Sequence, residues 1–122
     1  MIKALIVDDD EDLLEMVSMM LRASDMEVWG LISGDGLMEA IEKHAPQIIL
    51  MDIYMGDQDG RKLCREIKNN ELYRHLPVIL YSAGNITPVS IADSGADLFL
   101  HKPFDMKTLV NKVKQMAGVK EL

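Results

Sequence analysis

Four places in the chain carry side chains suited to phosphoryl chemistry, and each comes at or just beyond the end of a short apolar run. Asp8, Asp9 and Asp10 follow Ile2 to Val7, Asp52 follows Gln47 to Met51, Ser82 follows Val78 to Tyr81, and Lys102 follows shortly after Leu98 to Leu100. Carboxylates brought together repel unless protonated or neutralised by a cation, and an oxygen-only donor set of this kind suits Mg²⁺. A carboxylate nucleophile beside a divalent cation, with a lysine and a hydroxyl at hand, fits transfer of a phosphoryl group to an aspartate. The cations would neutralise charge on the phosphoryl oxygens, and the hydroxyl would hydrogen-bond one of them.

Positioning those groups is the task of the elements between them. The runs Ile2 to Val7, Val28 to Leu31, Gln47 to Met51, Val78 to Tyr81 and Leu98 to Leu100 are strand-sized and too continuously apolar to have a wet face. Helix-period segments alternate with them: Leu13, Leu14, Met16, Val17, Met20 and Leu21; Leu37, Met38, Ala40 and Ile41; Leu63, Cys64 and Ile67; Met106, Leu109, Val110, Val113 and Met116. A shorter, more polar segment, Pro88 to Ser94, supplies the fourth helix, with Thr87 as cap, Pro88 in the first turn and Gly95 as stop. Asp10 is placed to cap the first helix, with Glu11 and Asp12 at its positive end. This alternation implies an α/β fold: a doubly wound, flavodoxin-like (βα)5 unit with a five-stranded parallel sheet in the order 2-1-3-4-5. In such sheets ligands bind beyond the carboxyl ends of the strands, at the switch point between strands one and three. Those are the strands that end in Asp8–Asp9 and in Asp52.

With 122 residues and 48% hydrophobic content, residues 1–122 are read as one domain with a single core. A formal net charge of −7 argues against direct contact with nucleic acid or an anionic membrane surface. The single cysteine, Cys64, forms no intramolecular disulfide, and neither a signal peptide nor a membrane span is visible, which points to a cytoplasmic protein.

Taken together, Leu5 to Asp10, Leu50-Met51-Asp52, Asp59-Gly60, Pro77 to Ala83, Gly95-Ala96-Asp97 and Lys102-Pro103-Phe104 resemble the receiver domain of two-component response regulators, chemotaxis regulators included, over nearly the whole chain. The resemblance implies a phosphoacceptor rather than a turnover enzyme. Asp52 would take a phosphoryl group from a sensor histidine kinase or a histidine phosphotransfer protein, with Mg²⁺ held by Asp8, Asp9, Asp52 and the backbone carbonyl of Tyr54. Lys102 would contact the phosphate, Ser82 would be the switch hydroxyl and Phe99 the switch aromatic. Tyr54 and Gly84 would tune dephosphorylation, and a downstream effector protein or domain would read the result. A cis peptide between Lys102 and Pro103 is also implied. Three departures stand out: Gly56 where the family often has proline, leaving that loop freer; Gly84 with no side chain to place a water; and a short stretch from Ser82 to Gly95. No effector segment is visible after the last helix.

Simpler roles account for other residues. The ten methionines, Met16, Met19, Met20 and Met38 among them, read as core filler on helical faces. His44, His75 and His101 are too scattered for a zinc site, and Trp29 reads as strand packing. Three competing functions fit parts of the pattern. A haloacid-dehalogenase-like phosphatase would use Asp8 as nucleophile, but after Lys102 only Asp105 and Glu121 remain to supply a further acidic pair. A flavin carrier would need glycines and hydroxyls in the first loop. A non-phosphorylated interaction module on the same fold would not need the full set of site residues.

Overall fold

The computed structural model describes residues 1–118; Glu121 lies outside the described residues. Strands β1 (Lys3–Val7), β2 (Glu27–Leu31), β3 (Ile48–Asp52), β6 (Val78–Ser82) and β7 (Leu98–His101) form a parallel sheet in the order β2-β1-β3-β6-β7, which is 2-1-3-4-5 for the strands of this sheet. Helices α1 (Glu11–Ala23), α2 (Leu37–His44), α3 (Gly60–Lys68), α4 (Pro88–Ser94) and α5 (Met106–Gly118) cover it. The expected α/β doubly wound architecture is therefore the observed one.

Side chains of the central strands alternate between two apolar layers, as the period of two in a strand requires. Ala4, Ile6, Leu50, Ile79 and Tyr81 pack with Val17 and Leu21 of α1 and Leu109 and Val113 of α5. Leu5, Val7, Ile49, Met51, Val78 and Leu80 pack with Leu37 and Ile41 of α2 and Cys64 and Ile67 of α3. Both faces of β1, β3 and β6 are dry, which is why those strands read as unbroken apolar runs. The caps follow the sequence: the Asp10 side chain accepts from the Leu13 amide, the Thr87 side chain accepts from the Ser90 amide, and Gly95 closes α4 with φ of 79°.

One expectation needs correction. Met16, Met19 and Met20 are not core filler; they are 48%, 60% and 39% exposed, because α1 turns only Val17, Ser18 and Leu21 fully inward. The loop after Asp52, where proline is lacking, has a regular form. Tyr54–Met55 (β4) and Gln58–Asp59 (β5) pair as an antiparallel hairpin, and Gly56 occupies its turn at φ of 60°, which proline cannot adopt.

Candidate functional site

The parallel ladders continue one residue past the strands and bring the strand-end residues level with one another. The Asp8 amide donates to the Leu31 carbonyl, Ile53 to Tyr81 and Lys102 to Ser82, at 3.0, 3.0 and 2.8 Å. Parallel strands set side by side thus place Asp8, Asp52, Ser82 and Lys102 along one edge. One ligand oxygen each from Asp8, Asp9 and Asp52 lies within 4.8 Å of the others, with Asp8 and Asp52 buried and Asp9 exposed. Such an oxygen-only set fits a hard divalent cation, and the exposed Asp9 leaves it open to solvent. The Lys102 ammonium is 3.2 Å from Asp52 Oδ2 and 3.9 Å from Asp8 Oδ2. The Lys102–Pro103 peptide is cis, as the resemblance implied.

Electrostatics at Asp52 are a contest. Burial raises its pKa, Lys102 opposes that rise, and neighbouring Asp8 adds to it; the outcome is a carboxyl above its ordinary value of 3.8. Its Oδ1 also accepts a long hydrogen bond, 3.4 Å, from the Tyr54 amide. Asp8 is held from two sides: Oδ1 accepts from the Asp10 amide and Oδ2 from the Tyr81 hydroxyl, at 2.9 and 2.8 Å. Among the described residues no buried side-chain nitrogen or oxygen lacks a partner.

The other expected residues flank this cluster. Ser82 is 1% exposed, and its hydroxyl accepts from the Gly84 amide at 3.1 Å. Gly84 lies under the edge of the Tyr54 ring: a Cβ there would stand 3.1 Å from Tyr54 Cε2 and 3.6 Å from Ser82 Oγ. Phe99 is not at the carboxylates. Register pairs it with Leu80, and its half-buried ring packs with the layer that contains Ile86, Ile91 and Ala96.

The roles of Tyr81 and Arg61 are not marked in the sequence, whereas Gly60 stands in one of its motifs. Tyr81 looks like one more apolar strand residue, yet its hydroxyl meets Asp8, its ring meets Phe104 edge-on at 5.5 Å, and the Lys102 ammonium lies 5.0 Å from its centroid. Burial, reinforced by Asp8, raises the phenol's pKa, so it remains a donor. Gly60 begins α3 where its backbone crosses the end of β3. A Cβ there would run into the Asp52 carbonyl oxygen and come within 3.1 Å of Ile53 Cα.

A family model for the response regulator receiver domain matches residues 4–114. The Staphylococcus epidermidis "Heme response regulator HssR" is 33% identical over 120 residues; the match covers 93% of this chain, and the chain spans 50% of that relative's length. Among solved structures, a signal receiver domain of a signal transduction histidine kinase from Syntrophus aciditrophicus superposes with a TM-score of 0.88 at 28% identity, covering 100% of this chain and 95% of that one. The BeF3-activated DrrB receiver domain gives 0.82 at 28% identity, with 95% and 97% covered.

Proposed function

This chain belongs to the response-regulator receiver family, phosphoacceptor signalling modules rather than turnover enzymes, and on that premise we propose that residues 1–122 form one receiver unit in which Asp52 is the phosphorylated residue. The observation that carries the reading is the convergence of three carboxylates and one ammonium at a single strand edge. An Asp52 oxygen attacks the phosphorus of a phosphohistidine on a sensor kinase or phosphotransfer protein. The phosphorus–nitrogen bond breaks, and the imidazole leaves with the electron pair.

Asp8, Asp9, Asp52 and the Tyr54 backbone carbonyl would hold Mg²⁺, which when bound would neutralise charge on the phosphoryl oxygens. Lys102, already 3.2 Å from Asp52, meets another of those oxygens and is kept from wandering by the Tyr81 ring beneath it. The Asp8 carboxylate keeps its orientation through Asp10 and Tyr81. Ser82 turns its hydroxyl from the Gly84 amide to the phosphoryl group, and Phe99 fills the space it leaves, reshaping β7 and α4 for an effector. Among the described residues no helix is long and apolar enough to cross a membrane; we assign the unit to the cytoplasm.

Intact mass after incubation with acetyl phosphate tests this. Gain of one phosphate only with Mg²⁺, and none in Asp52→Asn, is expected; gain in that variant or without metal would overturn the assignment. Lys102→Ala should fold but lose phosphorylation or its conformational readout. Tyr54→Asn combined with Gly84→Glu, which replaces a bulky ring and an absent side chain with water-orienting groups, should speed phosphate loss.

A further inference from the structure

Arg61 stands at the first turn of α3, outside the carboxylate cluster, yet it touches three segments at once. Its Nε and Nη2 grip the Asp59 carboxylate at 3.0 and 2.6 Å, and Asp59 is itself fixed as the N-cap of α3. Nη1 donates to the Ser90 hydroxyl of α4 at 3.2 Å. The guanidinium carbon lies over the Tyr54 ring, 5.5 Å from its centroid. A forked, planar cation anchored on one carboxylate has little freedom left, so the ring beneath it is located as well.

We propose that Arg61 is a positioning residue that clamps the Tyr54 ring over Gly84, so that the lifetime of the phosphorylated state is set jointly by this ring and by the placement of α4. The inference rests on the reading of Asp52 as phosphoacceptor. Hydrolysis joins a water oxygen to phosphorus and breaks the phosphorus–oxygen bond to Asp52; the carboxylate leaves with the electron pair and the water's proton passes to solvent. That water has to reach the phosphoryl group past the residues that follow Asp52 and Ser82. Gly84 supplies no side chain there, and the Tyr54 ring crowds the place that one would take: a Cβ would stand 3.1 Å from its Cε2 and 3.6 Å from the Ser82 hydroxyl oxygen. Tyr54 is 51% exposed, and its ring would swing away if nothing held it. Asp59 and Tyr54 are cross-strand partners in the β4–β5 hairpin, so the anchor and the clamped ring belong to one rigid piece. Ser90 makes the clamp responsive: when α4 shifts, Arg61 either follows it or gives it up, and the cover over the site changes with it.

The test follows decay of the phosphorylated full chain by intact mass after acetyl phosphate is removed, in wild type, Arg61→Ala, Ser90→Ala, Tyr54→Leu and the Arg61→Ala/Tyr54→Leu pair. Wild-type uptake of a single phosphate, absent in Asp52→Asn, reports separately on the phosphoacceptor assignment. Arg61→Ala should shorten the lifetime about three-fold, the change that corresponds to loss of an exposed cation–π contact, and Ser90→Ala should shift it in the same direction by less. Once residue 54 is leucine, removing Arg61 should add almost nothing, an interdependence that a merely structural arginine would not show. An unchanged lifetime in Arg61→Ala, or effects of Arg61→Ala and Tyr54→Leu that simply multiply, would overturn the clamp. Acceleration in Arg61→Ala with no change in Ser90→Ala would overturn its link to α4. Should Arg61→Ala fold poorly, Arg61→Gln, which keeps a donor for Ser90 but no charge over the ring, must still shorten the lifetime.

Discussion

Helices α1 and α4 both begin one short loop after a strand that ends in the site, and both are capped by a side chain, yet they are attached by different forces. Helix α1 has 13 residues and sinks Val17 and Leu21 completely into the core. Helix α4 has 7, buries only Ser94 fully, and leaves Val89 69% exposed. Its ties are largely polar and come from α3: Arg61 to the Ser90 hydroxyl and Arg65 to the Asp93 carbonyl, both at 3.2 Å. Burial of apolar area is lost only by pulling the helix off the sheet, whereas hydrogen bonds at a surface exchange with water at little net cost. One flank of the site is thus a fixed wall, and the other is free to move.

Truncation should break the symmetry between the two helices most visibly. Leu21→Ala, in a fully buried position, should cost about 3 kcal/mol of stability, and Ile91→Ala in α4 nearer to ~1 kcal/mol. Urea melts of the two variants check the contrast; comparable losses would mean that α4 is as firmly packed as α1.

Tyr81→Phe tests the wall beside β1. Loss of the hydroxyl should cost roughly 1.5 kcal/mol and weaken Mg²⁺ binding about ten-fold, since Asp8 Oδ2 would lose its hydrogen-bond donor and keep only the longer contact with Lys102. Calorimetric titration with Mg²⁺ measures the second effect, and unaltered affinity would mean that the Asp10 amide and the Lys102 ammonium 3.9 Å away orient Asp8 without the hydroxyl.

Asp52→Asn should do the opposite and stabilise the metal-free protein, raising its melting temperature by about 4 °C. The sign follows from the raised carboxyl. Between 3.8 and its higher folded value Asp52 binds more proton in the folded chain than in the unfolded one, so stability declines as pH rises through that window. The gain in the asparagine variant should therefore be full at neutral pH and vanish below 3.8, as thermal melts across pH would record.

Smallest in energy but most direct is amide exchange. Residues 84–94 should exchange faster than residues 11–23 and slow on addition of beryllofluoride with Mg²⁺, as expected of a low-stability element ordered by activation. Equal protection of the two segments, or no change with beryllofluoride, would remove the distinction between them.

Much of this was legible in the sequence because the signals are strong and local. Continuous apolar runs give central strands that are dry on both faces, and acidic residues at two strand ends meet wherever the sheet places those strands side by side. Thr87-Pro88 and Gly95 bracket a short helix whose bounds the structure reproduces. Contacts between distant residues were not legible. Tyr81 and Asp8 stand 73 positions apart, and a tyrosine in an apolar strand carries no mark of what its hydroxyl reaches. Arg61 looks like any charged residue in a first helical turn until the fold sets Tyr54 and Ser90 around it. The β4–β5 hairpin did leave a trace, Gly56-Asp57, but two-residue strands are too short to show alternation. The helical period placed Met16 and Met20 on the face of Leu13 and Val17, though the buried stripe of α1 is narrower than that.

Cys64 has a practical consequence for following the movable flank. Burial pushes its thiol up to about 11, so at neutral pH only about one molecule in ten thousand carries a thiolate, and no surface reaches its sulfur. The native chain should therefore be silent towards maleimide and iodoacetamide dyes. A cysteine introduced by Val89→Cys, on the outer side of α4, would take up a single fluorophore with no need to remove Cys64 first, giving an optical readout of α4 in an otherwise unaltered protein.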